Sequence, residues 1–423
     1  MSEIQPLPQF PPQHDQQREQ QRMGERMDDS CDDMPTVPIP ARKAATTFDT
    51  PSKRERIEVK PPITRFIRRA VTRVFGVWSR ISTQVVRQWD WYPRVEPYVG
   101  YGTGDYSRLI CRTVYAPRHA QSGELIRGIR GMLAIPAPRT HVQASIDDMP
   151  LNTVQIGVSE VYDKVDRTRD LGSEYAISDS AGYLDLVAEH RLVPGIHRVS
   201  YSVANRKPVS ANLYTIPASA KVGIISDVDD TIMITQAPVP WKAAYNLLFL
   251  DPKKKASVPG MSVLFTRIAD LFPGAPFFYL STSPWNVESS IRNFITDHGF
   301  PEGPLLLRDL DPRPKTFVPT GPQHKLEFAE QLMADFPDMK FILVGDDGQK
   351  DPTTYATIAR RYPGRVLAIV IRELSPREST GLASVTGLTS TQPTPVTDVP
   401  VFTGTTGSNI LKTMLPYLKT VLR

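Results

Sequence analysis

The chain has 423 residues, enough for two or three domains, with an ordinary 40% apolar content and 40 prolines, about twice common usage. Its formal net charge of +5 and pI near 9.0 fit an anionic membrane surface or nucleic acid and single out neither. The first residues lack an apolar h-region and no apolar run approaches about eighteen residues, so neither a secretory signal nor a transmembrane helix is expected. Cys31 and Cys111 are too few for a disulfide framework or a zinc site, which points to a reducing, cytoplasmic setting.

Residues 1–62 are rich in Gln, Pro, Asp and Arg without periodicity and read as a disordered tail, either solubilising or partner-docking. In the following stretch, 63–92, Ile63, Ile67, Ala70, Val74, Trp78, Ile81 and Val85 recur at helical spacing. Arg65, Arg68, Arg69, Arg73, Arg80 and Arg87 project mainly from the other side. Such a helix over 63–90 either packs on its own domain or lies peripherally on an anionic membrane.

Residues 93–217 read as short strands: Leu109 to Tyr115, Val154 to Val158, Tyr183 to Val187 and His197 to Val203. Turn clusters at Ser178 to Gly182 and Val193 to Gly195 divide them, and the spacing predicts a small β-sandwich. Residues 218–375 alternate strand and helix. Strands are expected at 222–225, 277–280, 305–307, 341–344 and 366–371, with helices at Val263 to Leu271, Val287 to His298, 323–335 and Pro352 to Tyr362. That alternation predicts an α/β fold with a doubly wound parallel sheet. Within it, Trp241 to Phe249 and Lys253 to Lys255 occupy an insertion after the first strand. Residues 376–408 are rich in Ser, Thr, Gly and Pro and read as a linker, completing with 409–423 a C-terminal region 376–423. Its end sets Ile410, Met414, Leu418 and Val421 on one face, with Pro416 expected to kink or break the helix.

The chemistry is concentrated at strand ends. The segment 221–231 reads KVGIISDVDDT, an apolar run that stops at Asp227 and Asp229. Paired carboxylates there repel one another and form no core, but they suit a divalent cation, one as nucleophile and the other as acid/base. Two further apolar runs end in Ser281-Thr-Ser-Pro-Trp285 and in Gly345-Asp-Asp-Gly-Gln-Lys-Asp351, and Gln323-His-Lys325 opens a helical pattern between them. Asp351 before Pro352 also fits a plain helix cap, as does Ser283 before Pro284. No phosphate-binding P-loop and no serine-hydrolase elbow occurs.

The order Asp pair, Ser/Thr, Lys, acidic pair resembles the four motifs of haloacid dehalogenase-like phosphatases. The wording ISDVDDT, YLSTSPWN, PLLLRD and LVGDDGQKDP resembles the phosphatidate phosphatase family of the yeast actin-patch type, strongly over 220–375, weakly before it and not in the tails. The resemblance implies a Mg²⁺-dependent phosphomonoesterase acting on phosphatidate. Asp227 would be the nucleophile and Asp229 the acid/base, with Thr231 orienting the pair. Ser281 would hold the phosphoryl, with Thr282 and Ser283 as neighbours able to take that place. Lys325 would neutralise Asp227, with Lys350 as the competing lysine and His324 as a bystander. Mg²⁺ would be held by Asp227, the main-chain carbonyl of Asp229, Asp346 and, through its second shell, Asp351. Trp285, Arg308 and the Lys253 to Lys255 run would contact substrate, unless Trp285 is core and the lysines a solvated loop. Asp179, Gly182 and Tyr183 resemble a turn signature of the preceding β domain. Two other functions stay open: a phosphatase for a soluble phosphomonoester, and a scaffold with a vestigial catalytic domain. No nucleic-acid partner is expected.

Overall fold

The computed structural model describes residues 91–116, 135–151, 153–155, 176–178, 182–203, 206–234, 256–308, 321–348, 350–374 and 397–421, together with Val86. All of them belong to one unit spanning Pro62–Arg423. The expected tail, the helix 63–90 apart from buried Val86, the insertion with its lysine run, Asp179 and most of the 376–408 linker lie outside the described residues.

The first half is all β: β1 (Tyr92–Pro97), β2 (Gly100–Gly102), β3 (Tyr106–Ala116), β4 (His141–Ile146), β5 (Met149–Pro150), β6 (Thr153–Gln155), β7 (Ala176–Ile177), β8 (Tyr183–Glu189), β9 (Gly195–Ser202) and β10 (Val209–Thr215). They form a 10-stranded sheet in the order β5-β4-β9-β10-β2-β3-β8-β6, with β1 on β3 and β7 on β4. Every ladder is antiparallel except β10 on β2. Val142, Ala144 and Ile146 of β4 share one core with Leu184, Leu186 and Ala188 of β8. Laid flat, strands that far apart along the path would be separated by more than about 20 Å. The sheet therefore turns back over its own apolar face, carrying two-layer packing on a single ladder path. The sequence reading caught β3, β8 and β9 through their β-branched runs, but missed the polar-looking β4 and β10. Both alternate inward apolar and outward polar residues, as in Ala211 and Leu213 between exposed Ser210 and Asn212.

The second half contains β11 (Val222–Asp227), α1 (Met261–Leu271), β12 (Phe277–Pro284), a 3-10 turn (Trp285–Val287), α2 (Glu288–Asp297), β13 (Leu305–Arg308), α3 (Gly321–Asp335), β14 (Lys340–Asp346), α4 (Asp351–Arg361), β15 (Val366–Arg372), β16 (Val401–Gly404) and α5 (Gly407–Val421). The sheet is 6-stranded in the order β13-β12-β11-β14-β15-β16, and all five ladders are parallel. Its strands are buried on both faces, which is why they read as continuous apolar runs. Ile224, Tyr279, Ile342, Val344 and Val370 pack on α1, α2 and α5 through Phe265, Ile268, Phe294, Ile410 and Met414. Ile225, Phe278, Leu343 and Ile369 pack on α3 and α4 through Leu332, Met333, Tyr355 and Ile358.

The C-terminus departs from expectation. Where a linker was expected through residue 408, β16 adds the sixth strand and α5 lies against α1. Pro416 sits inside α5 without ending it. The proline and Lys412, whose carbonyl loses its helical partner, are both exposed, so water can take the missing bond. Gly407 lets the helix start touch the start of α1: its N–H donates to the Pro259 carbonyl at 3.0 Å, and a Cβ there would lie 2.2 Å from the Gly260 oxygen.

Candidate active site

In the strand order, β12 and β14 flank β11, and the chain's direction of winding reverses between β11 and β14. Ligands of open parallel sheets bind beyond the strand carboxyl ends at such a reversal. Asp227 closes β11 and Asp346 closes β14, so both carboxylates stand at that point. Ser281 and Ser283 lie in the last residues of β12, on the other side of Asp227. Ser283 is thus part of a strand and not a helix cap; α2 is capped by Val287. Asp351 is likewise no cap. Lys350 holds the cap position of α4 and Asp351 is its first residue, with Pro352 next.

Side chains from these ends interlock. Lys325, in the second turn of α3, donates to Asp227 Oδ1 at 2.8 Å and to Asp351 Oδ1 at 2.5 Å. Thr231 Oγ1 donates to Asp227 Oδ2 at 3.0 Å and reaches Asp346 Oδ2 at 3.5 Å. Ser281 Oγ donates to Asp229 Oδ2 at 2.6 Å, Ser283 Oγ reaches the same oxygen at 3.4 Å, and Ser283 N–H donates to Ser281 Oγ at 3.0 Å. Asp346 is steadied by the Gly348 N–H, 2.7 Å from its Oδ1. Lys325 is 2% exposed, which removes the reading of a solvated lysine at a helix start; Lys350 is exposed.

Oxygens of Asp227, Asp346 and Asp351 lie within 4.8 Å of one another, and all three residues are buried. A Cβ on Gly345 would stand 2.3 Å from Asp351 Oδ2, so only glycine leaves that carboxylate its place. Asp229 is different: its carboxylate turns to the β12 hydroxyls. Burial, reinforced by Asp351 and Asp229 and opposed by Lys325, pushes the Asp227 carboxyl up to about 8. Burial, with Asp351 and Asp227, holds Asp346 well above the carboxylate range. Burial also raises Asp229, against the Ser281 bond. Burial would lower Lys325, but Asp227, Asp351 and Asp346 override it and hold the ammonium charged. These directions have one origin. Asp227, Asp229, Asp230, Asp346 and Asp351 are buried together, and among the described residues the buried cations beside them are Lys325 and Arg372. An all-oxygen donor set with that excess of negative charge, and no His or Cys in the cluster, fits a hard divalent cation.

Trp285 is 2% exposed and stacks on Tyr98 of the β half, centroids 4.8 Å apart. The main chain of Arg308 ends β13, while its side chain is outside the described residues. His324 is buried against Phe328. Arg372, which sequence reasoning passed over, ends β15 and donates from Nη1 to the Asp230 carbonyl at 2.7 Å. The signal was present: a cation closing the apolar run of 366–371, next to a strand that ends in acid.

Residues 222–373 match the family model described as "Phosphatidate phosphatase APP1, catalytic domain". The Saccharomyces cerevisiae protein "Phosphatidate phosphatase APP1" is 29% identical over 211 residues, covering 48% of this chain and 35% of the yeast one. An uncharacterized Schizosaccharomyces pombe protein is 26% identical over 176 residues, covering 41% of this chain and 29% of its own. The chain thus spans about a third of the length of the curated relatives it matches. Among solved structures, one titled "Structure of PhoD" aligns over 66% of this chain and 70% of its own at 9% identity and a TM-score of 0.25. A Yersinia pseudotuberculosis adhesin aligns over 30% of this chain and 33% of its own, at 8% identity and a TM-score of 0.18. Likenesses that slight carry no weight for fold or function.

Proposed function

We propose that the chain is a Mg²⁺-dependent phosphomonoesterase of haloacid dehalogenase-like fold that hydrolyses phosphatidate to diacylglycerol and phosphate. One observation carries the reaction class. A buried carboxylate, Asp227, is held on Lys325 beside Asp346 and Asp351, while a second carboxylate, Asp229, is held apart from that cluster on Ser281. Nucleophile and acid/base need different surroundings, and these two have them.

In the proposed reaction an Asp227 oxygen attacks phosphorus in line, and the ester P–O bond breaks as the aspartyl phosphate forms. Asp229 gives its proton to the departing alkoxide and then takes one from the water that cleaves the intermediate. Its raised proton affinity, due first to burial, suits the donor role. Thr231 steadies the second Asp227 oxygen. Ser281 and Ser283 would hold a phosphoryl oxygen in exchange for one of their bonds to Asp229. Asp227, Asp346 and Asp351 would hold Mg²⁺, which would neutralise charge between the nucleophile and the anionic phosphate.

The lipid substrate is supported by the family match and by the curated yeast relative, whose name is that of a phosphatidate phosphatase. No described helix is long and apolar enough to cross a membrane. A cytoplasmic enzyme that reaches lipid peripherally, through the basic face of 63–90, is part of the proposal. Phosphate release from phosphatidate in mixed micelles, beside a panel of soluble phosphomonoesters and with Mg²⁺ or EDTA, tests it. Metal-dependent release preferring phosphatidate is expected. Preference for a soluble ester would replace the substrate, undiminished release in EDTA would remove the metal, and no release from any substrate would leave a scaffold.

A further inference from the structure

We propose that Arg372 is a positioning residue of this site, holding the backbone turn that aims Asp229 and Thr231. The inference deepens the phosphatase reading and rests on it for its catalytic consequence.

The turn after β11 is tight. The Val228 carbonyl accepts from the N–H of both Ile232 and Met233 at 3.1 Å, and the Asp230 N–H donates to the Met233 carbonyl at 2.8 Å. Asp230 has φ 58, in the left-handed region that few residues other than Gly, Asn and Asp enter. The Asp230 carbonyl faces away from these bonds and accepts from Arg372 Nη1 at 2.7 Å. That bond fixes the peptide between Asp230 and Thr231. On one side Thr231 then meets Asp227, and on the other Asp229 meets Ser281.

Position explains the residue type. Arg372 pairs with Asp346 across β14, and β14 in turn pairs with β11. Its guanidinium therefore crosses about two strand spacings, roughly 9–10 Å, to reach the turn beyond β11. A long side chain together with its 2.7 Å hydrogen bond covers that span, and Arg brings a planar donor pre-organised for hydrogen bonding. The anchor is firm: Arg372 accepts the Asp347 N–H at 3.0 Å, and β16 flanks it at Gly404. At 4% exposure, Arg372 also adds positive charge beside the aspartates. The C-terminal strand is thereby tied to the catalytic turn.

The full chain with Arg372→Ala or Arg372→Lys tests this by backbone hydrogen exchange over 228–233, with melting temperature and phosphatidate hydrolysis in Mg²⁺ measured alongside. Arg372→Ala is expected to speed exchange at Asp230, Ile232 and Met233 by about tenfold or more, while α1 and α5 keep their protection. Its kcat should fall about 100-fold with KM within about threefold, the pattern of a displaced group rather than a lost substrate contact. Added guanidinium should restore part of kcat, and Arg372→Lys should fall between Ala and the native chain. Unchanged exchange over 228–233 in folded Arg372→Ala overturns the inference; if that variant does not fold, Arg372→Lys and Arg372→Gln decide it by the same exchange. A native chain with no phosphatase activity overturns the reading of the site, and the exchange result still decides whether Arg372 holds the turn.

Discussion

Asp227 and Lys325 show how a site composed of ordinary residues becomes reactive. Each is almost fully buried, and neither charge would be tolerated there alone, so the pair and its neighbours are interdependent. Asp227→Asn keeps the shape and removes the proposed nucleophile. It should cost about 10³-fold or more in kcat, about 4 kcal/mol in barrier, with the fold intact by circular dichroism. Activity within tenfold of the native chain would remove Asp227 from that role. The two lysines separate in the same way. Lys325→Ala strands the carboxylates of Asp227 and Asp351 and should lower both kcat and melting temperature. Lys350→Ala changes an exposed residue and should leave both nearly unaltered. A reversed order of effects in steady-state kinetics would transfer the role to Lys350.

At the scale of elements, α5 is the instructive case. Ile410, Met414 and Leu418 are each 0% exposed, four residues apart, and they insert among α1 side chains. Their spacing is legible in sequence as one helical face. That the face is covered by α1, with β16 laid beside β15, is not legible, because a four-residue strand beyond a Ser/Thr-rich stretch has no periodic signal of its own. Met414→Ala should destabilise the chain by about 2–5 kcal/mol, the transfer and cavity cost of a buried large side chain. Urea unfolding monitored by fluorescence measures it, and a loss under about 1 kcal/mol would mean that α5 is peripheral.

At the scale of the whole molecule, the β half and the parallel-sheet half share their cores. Tyr98 and Tyr183 pack in the cluster of α1, α2 and α5, and Tyr101 packs in that of α3 and α4. Tyr101 lies edge-on to Phe278, donates to Asp335 Oδ2 at 3.0 Å and accepts from Gln331 Nε2 at 2.7 Å. Tyr101→Phe leaves both partners short of a bond and should cost about 1–3 kcal/mol while kcat stays unchanged. Two separated melting transitions in the native chain would contradict the shared core. The proposed membrane contact through the arginines of 63–90 belongs to this scale too. Reversing Arg69, Arg73 and Arg80 to Glu should weaken binding to anionic vesicles, by roughly 1 kcal/mol per charge, and slow lipid turnover while sparing a small chromogenic ester. Equal vesicle binding by both chains would count against a membrane role for residues 63–90.

The grouping of acids, hydroxyls and a lysine at the strand ends was legible in the chain's residue types and spacing. An acid pair after a β-branched run, a hydroxyl cluster after the next, a helical lysine and a second acid group are local signals, each set by residue type and spacing, and Asp227, Lys325, Asp346 and Asp351 do meet. The sequence by itself also determined the strand and helix alternation of 218–375, because buried parallel strands must be apolar on both faces. Tertiary structure alone decided the rest. Whether Trp285 faces ligand or core depends on Tyr98, nearly two hundred positions earlier in the chain. Whether Asp351 caps a helix or receives Lys325 depends on how α3 is laid over the sheet. Arg372 gains its place only when β15 lies two strands from β11, since register across a sheet brings together residues whose sequence separation carries no trace of the contact.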